Sequence, residues 1–165
     1  MRTKILFTYL FFVCPAISLL AQIDSEIILL KVKEANSDLI ALRGYLHERP
    51  ELSGKEFETA KFLKTEMAKL GLPVVDVPGT GFYAILDTKR PGKTIGLRTD
   101  IDALPVLESE TNLKQAKRFV SKNAGVSHVC GHDGHMAILL EAAKILTDLK
   151  DRSVVADMPH APICL

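Results

Sequence analysis

Between residues 128 and 135 the chain reads His-Val-Cys-Gly-His-Asp-Gly-His, which places three of its five histidines, one of its three cysteines and an aspartate within eight positions. Thiolate and imidazole are the preferred ligands of zinc and its neighbours, and Cys130-Gly131-His132 lets both reach one ion. If the segment is extended, the alternating His128, Cys130 and His132 fall on one side. His132 and His135, three apart, would share one face of a helix start. Gly131 and Gly134 permit a tight backbone turn around such a site. Asp133 suits either of two roles, orienting an imidazole or sitting at a helix N-terminus. Two readings without a metal compete: a capped helix start with a buried thiol, and a disulfide between Cys130 and Cys164.

A second group of acids stands upstream in "TIGLRTDIDALP". Asp100 and Asp102 are two apart, so an extended backbone would point both to the same face. The preceding residues read as a strand, and in open α/β sheets ligands gather at the carboxyl ends of strands. Two carboxylates there suit a cation, or can set each other's pKa values apart. The competing reading is a solvated turn in which Asp102 caps a backbone group.

The elements that must hold these residues follow from periodicity. From Ser25, the positions Ile28, Val32, Ala35, Leu39, Leu42 and Leu46 step by four and three, which predicts one amphipathic helix ended by Pro50. "SGKE" offers Ser53 as N-cap with Glu56 three residues on, a capping box for a second helix. Its stripe is Phe57, Ala60, Leu63, Met67 and Leu70, and Gly71 and Pro73 stop it. "PVVDV", "GFYAILD" and "TIGLRTD" are short, β-branched or aromatic, and separated by turn residues, so they read as strands. Residues 105–127 form a long connection with little periodicity. A strongly apolar helix is predicted from His132 to Leu149, with apolar residues around most of its circumference, and such a helix expects cover on several sides. The tail "SVVADMPHAPICL" shows no clear period. The plan is α/β, with three or four strands and no second strong helix after residue 150, as in part of a domain.

Composition narrows the partners. The chain has 165 residues, 47% hydrophobic and 25% charged, the length and make-up of one globular domain. Its formal charge is +1 with no basic block, which argues against nucleic acid. Residues 1–21 differ in kind: "MRTK" is cationic, "ILFTYLFFVCPAISLL" is uncharged and apolar, and "AQ" follows. This reads as a secretory signal peptide cleaved after Ala21, or alternatively after Ser18, with a retained anchor as the competing reading. The run is short for a span of about 20 residues, and Pro15 interrupts it. Loss of Arg2 and Lys4 takes the formal charge from +1 to −1 in a mature chain of residues 22–165. Export to the cell exterior or periplasm would also place Cys130 and Cys164 where a disulfide can form.

Four stretches fall in the order and spacing of one enzyme family: "LRGYLHERPELSGKEFETAKFLKTEMAKLGL", "GTGFYAIL", "TIGLRTDIDALPV" and "SHVCGHDGHMAILLEAAKIL". Over residues 40–150 the chain resembles the metal-dependent amidohydrolases of the aminoacylase–carboxypeptidase type, in the branch with hippurate hydrolase and the indoleacetyl-amino-acid hydrolases. The resemblance implies an α/β, zinc-peptidase-like three-layer catalytic domain, of which residues 22–165 would be the N-terminal portion only. It implies Cys130 and His132 as metal ligands and Asp102 as a residue assisting the metal centre. Asp100 stands where more distant relatives carry a metal-binding histidine, and His47 is read as mainly structural. His128, Asp133 and His135 match the motif without being ligands.

The resemblance further implies a divalent cofactor (zinc, manganese, cobalt or nickel) and a small N-acyl amino acid or peptide as substrate. Full-length relatives would be homo-oligomeric. In the family a glutamate from a Glu-Glu pair and two later histidines complete the site, and a smaller dimerisation domain is inserted. None of these has a counterpart in the sequence. By itself the 165-residue chain is therefore expected to be inactive. The alternative is a non-catalytic fragment that binds metal or a partner.

Overall fold

A computed structural model describes residues 25–89, 93–151 and 160–164. The expected signal peptide lies outside them. Residues 25–34 are helical (α1) and form a unit separate from the remainder, which begins at Ala35. The one long helix read from the sequence is thus two. The regular helix is interrupted at Ala35, and α2 runs Asn36–His47. The run Asn36-Ser37-Asp38, of residue types with low helix propensity, stands at that point, although none of its side chains caps the helix.

The second unit builds one core. α2 is followed by α3 (Phe57–Lys69), then β1 (Val74–Asp76), β2 (Phe82–Asp87) and β3 (Leu97–Arg98). A two-stranded hairpin, β4 (Thr111–Asn112) with β5 (Gln115–Ala116), stands within the long connection. α4 (His132–Leu149) has the predicted bounds, and β6 (His160–Cys164) closes the series. The main sheet has the order β1-β2-β6-β3, with β6 antiparallel to β2 and parallel to β3. The tail read as aperiodic therefore contributes a strand, and an interior one. "HAPIC" carries no alternation to announce it, and Pro162 brings no N–H to the ladder. Its place comes from pairing along both edges, from Tyr83↔Cys164 to Asp87↔His160 on one side and Leu97↔Ile163 on the other.

Side-chain burial follows the expected periods. Along β2, Phe82, Ala84 and Leu86 are buried and alternate with half-buried Tyr83, Ile85 and Asp87. They join Leu63 and Met67 of α3, Leu46 of α2, and Met136, Leu139, Leu140 and Ala143 of α4 in one cluster. α4 packs on both α2 and α3. Its cover is not complete among the described residues, for Ile138 remains 57% exposed. Gly44, on α2, allows the ring of Phe119 to lie against the helix; a Cβ there would clash with the ring. The long connection is held to α2 at this point.

The capping box does not form. α3 begins at Phe57, and Ser53 makes no cap hydrogen bond to it. Glu56 instead turns inward, where its carboxylate accepts from the Gly54 N–H (2.9 Å) and the Thr80 hydroxyl (2.7 Å). The cap comes from further upstream: Glu51 accepts from the N–H groups of Glu58 (3.3 Å) and Thr59 (2.7 Å). A carboxylate there also meets the positive end of the helix dipole. The Glu51 carbonyl accepts from the Ala103 N–H at 2.7 Å, so the same residue ties α3 to the loop carrying Asp102. Glu51→Ala is expected to lower unfolding free energy by about 1 kcal/mol, and Ser53→Ala by less than about 0.5 kcal/mol. Urea denaturation of the two variants distinguishes this cap from the capping box, which demands the reverse order.

Candidate metal-ligand site

The two chemistry-bearing segments meet at one hydrogen-bonded pair. β3 ends at Arg98, and the chain leaves it through Thr99 and Asp100 to Asp102. The loop is set by a parallel bridge between Leu52 and Ala103 and an antiparallel one between Leu104 and Ser127. The first joins it to the α2–α3 connection, the second to the segment entering α4. Asp102 thereby reaches the first residue of α4: His132 Nδ1 lies 2.9 Å from Asp102 Oδ1 and 2.9 Å from the Asp102 carbonyl oxygen. Both partners are acceptors, so Nδ1 carries the hydrogen and donates to them. In the neutral ring Nε2 then keeps its lone pair, the arrangement by which a carboxylate fixes a metal-binding histidine.

Asp100 does not share this role. Its carboxylate pairs with Arg98 in an exposed contact. The two aspartates therefore turn to different partners, in a loop that follows the end of β3 at Arg98.

The His-Cys-His alternation is also resolved differently from its extended reading. Residues 128–131 form a turn in which the Gly131 N–H donates to the His128 carbonyl at 3.2 Å. Gly131 takes φ +87°, a left-handed conformation that side chains disfavour, and becomes the N-cap of α4. The turn sends His128 inward and leaves Cys130 outside as an exposed free thiol. The disulfide reading is thereby removed for Cys130. Among the described residues, no group of three or more His, Cys, Asp and Glu side chains forms a metal cage. What the chain does offer fits part of a metal site: a free thiol, and an imidazole with its nitrogen roles assigned by Asp102. His135 stands with its ring 6.0 Å from that of His132.

Behind the Cys-Gly-His turn lies a buried polar cluster that the sequence reading did not assemble. Asp133, in the first turn of α4, is fully buried, and its Oδ2 accepts from Arg43 Nε (3.1 Å) and faces His47 Nδ1 (2.9 Å). Burial opposes the charge of this carboxylate, but His47, the Gly134 N–H and Arg43 outweigh it and hold its pKa below the ordinary range. The other nitrogen of His47 lies 3.0 Å from Glu108 Oε1. With a carboxylate at each nitrogen, both hydrogen bonds form only when the ring carries both protons. Asp133 thus orients an imidazole, that of His47 rather than His132. His128 completes the cluster, its ring centre 6.5 Å from that of His47. Burial lowers its pKa; neither of its nitrogens, nor Asp133 Oδ1, has a partner among the described residues.

Glu108 anchors the hairpin. Its carboxylate also accepts from Lys117 Nζ (2.9 Å) and from the Ser121 N–H (2.7 Å), closing the 108–121 segment onto α2. A cleft of about 940 Å³ opens between this segment and α2, lined by Arg43, His47, Lys117, Phe119 and His128 among others. The signal for the cluster was present as separate letters, but the partners lie as much as 90 residues apart.

The strand-end loop and the Cys-Gly-His helix start of this mixed α/β chain thus meet at the Asp102–His132 pair. Residues 96–159 match the model of peptidase family M20/M25/M40, and the chain belongs to that family. It is 43% identical over 121 residues to an N-acyl-L-amino acid amidohydrolase of Geobacillus stearothermophilus, covering 73% of this chain and 31% of the relative. It is 43% identical over 122 residues to thermostable carboxypeptidase 2 of Saccharolobus solfataricus, covering 73% and 30%. Its fold matches the crystal structure of the Bacillus subtilis YXEP protein, a dinuclear metal-binding peptidase of the M20 family. There the TM-score is 0.69 and the identity 36%, over 81% of this chain and 35% of that one. The chain spans about a third of the length of the relatives it matches.

The Glu108 environment gives a pH prediction. Burial would raise its pKa, but the Ser121 N–H, Lys117 and His47 together hold it at about 2, against 4.5 for the free side chain. The folded carboxylate binds its proton less tightly than the unfolded one, so its contribution is complete above about pH 5 and is lost as pH falls toward 2. Urea unfolding should show Glu108→Gln less stable than the parent near neutral pH, with the two curves converging under acid. Parallel curves across the whole range would contradict this role for Glu108.

Proposed function

We propose that this chain carries part of the metal-binding apparatus of an enzyme hydrolysing the amide bond of N-acyl amino acids or related small amides and peptides. The observation that carries the reading is the Asp102–His132 pair: it commits Nδ1 and leaves Nε2 free, two residues from the exposed thiol of Cys130. Cys130 and His132 are the ligands, and Asp102 acts through the imidazole it orients. The relatives support the substrate class, since they include N-acyl-L-amino acid amidohydrolase and N-acetyl-L-cysteine deacetylase. A divalent ion such as zinc, manganese, cobalt or nickel would supply Lewis acidity toward the amide carbonyl and toward water.

A catalytic site needs about three protein ligands and a proton acceptor. Cys130 and His132 offer one sulfur and one nitrogen donor, and the glutamate implied by the resemblance has no counterpart in the sequence. A second reading, for the 165-residue polypeptide taken alone, is a metal-binding segment without turnover. We further propose export by the signal peptide of residues 1–21, on the strength of its cationic start and uncharged apolar run. Homo-oligomers are proposed for the full-length relatives.

Cys130→Ser and His132→Ala should each weaken cobalt(II) binding at least about tenfold, measured by the thiolate-to-cobalt absorption band for the histidine variant and by equilibrium dialysis for both. His135→Ala should leave it unchanged. The purified 165-residue chain should release no amino acid from N-acetyl substrates with any of the four metals. Turnover by that chain would defeat the second reading and place the missing groups within it. Exported protein should begin at Gln22 by mass spectrometry, and soluble material retaining Met1 would count against the leader.

A further inference from the structure

Asp133 is chemically suited to a metal, is adjacent to a proposed ligand, and is nevertheless turned away from it. Its Oδ2 is taken up by Arg43 and His47, both on α2, and its side chain has no exposed surface. Burying a carboxylate costs several kcal/mol unless it is paired, so the position is retained only while its partners are in place. The partner His47 ends α2 and uses its second nitrogen on Glu108, and Glu108 holds Lys117 and the Ser121 N–H. One chain of charged hydrogen bonds thus runs from the hairpin segment beside the cleft, through the end of α2, to the first turn of α4. The next residue back along α4 is His132.

We propose that His47 and Asp133 are positioning residues for the ligand turn. Through them the end of α2 fixes the first turn of α4, and so the orientation in which His132 meets Asp102 and presents Nε2. The Gly131 turn has left-handed backbone geometry and few constraints of its own: the Gly134 and His135 N–H groups bond to the Gly131 carbonyl at 3.0 and 3.2 Å, within the same turn. The His47–Asp133 contact anchors that turn to a separate element. Glu108 extends the anchor to the wall of the cleft. A change in the hairpin segment is therefore felt at His132 without touching it.

This inference rests on the metal-ligand reading of Cys130 and His132, and two readouts keep the two apart. The first needs no metal. In the ¹⁵N-histidine-labelled 165-residue chain, ring-nitrogen spectra should show His132 protonated at Nδ1. His47→Gln and Asp133→Asn should each convert this to a mixture of tautomers, whereas Glu56→Gln, at a buried carboxylate outside the chain of bonds, should not. The second readout is cobalt(II) affinity, expected to fall about tenfold in His47→Gln and less in Glu108→Gln. Glu108→Gln keeps the shape of the side chain and touches neither His132 nor α4, so it tests the relay if the other variants fold poorly. An unaltered His132 tautomer together with parental cobalt affinity in His47→Gln and Glu108→Gln overturns the positioning role, even where stability falls. Loss of the tautomer preference in these variants, with cobalt binding indifferent to Cys130→Ser and His132→Ala, leaves the positioning role standing and removes the metal reading.

Discussion

The structure depends on keeping one carboxylate charged in a place without water. Asp133 is wholly buried where α4 begins, and only the convergence of Arg43 and His47 from α2 makes that tolerable. The requirement is reciprocal. α2 must end at His47, close enough for the ring to reach, and α4 must begin at His132, so that the next residue points inward. Hydrophobic packing of Leu46 against Met136, Leu139 and Leu140 brings the helices together but tolerates small slips along their axes. The charged contacts have definite lengths and directions and so set the register.

The long connection between Asp102 and the Cys-Gly-His turn is ordered by the same kind of contact. Glu108 gathers His47, Lys117 and the Ser121 N–H. Asn123 donates to the Pro50 carbonyl at 2.6 Å, and the Ser127 hydroxyl donates to the Val106 carbonyl at 2.7 Å. Phe119 settles against Gly44. A segment with little hydrophobic period therefore takes a defined path by satisfying polar groups one at a time against α2 and its own backbone. This path delivers the Ser127–Leu104 bridge, and with it the approach of Asp102 to His132.

Membership of family M20/M25/M40 gives the arrangement a context. The chain matches about a third of relatives named as amidohydrolases, deacetylases and carboxypeptidases, and the matched region holds the Cys-Gly-His turn and the Asp102 loop. Here those residues form an oriented imidazole and an open thiol. The sheet order β1-β2-β6-β3 shows how the strand-end loop is supported: β3 is only two residues long, and its ladder partner is β6.

Much of this protein was legible in its letters. The apolar steps of α3 and α4, the alternation in β2 and the terminators Gly71, Pro73 and Pro50 are local signals, because helix and strand periods are properties of neighbouring residues. The motif letters likewise drew attention to Asp102 and His132, which the fold brings into hydrogen-bond contact. Where the local signals failed, a distant partner had prevailed. Glu51 displaced Ser53 as the α3 cap because its backbone is fixed by Ala103. "HAPIC" became a strand through pairing on two edges, with no pattern of its own. His128 and Cys130, placed on one side by alternation, part company because Gly131 turns the chain there. His47, Glu108 and Asp133 could be listed from the sequence but not joined, since nothing local relates residues separated by 61 and 86 positions. Their meeting is decided by helix packing and by the cost of leaving a buried charge unpaired, and both exist only in the folded chain.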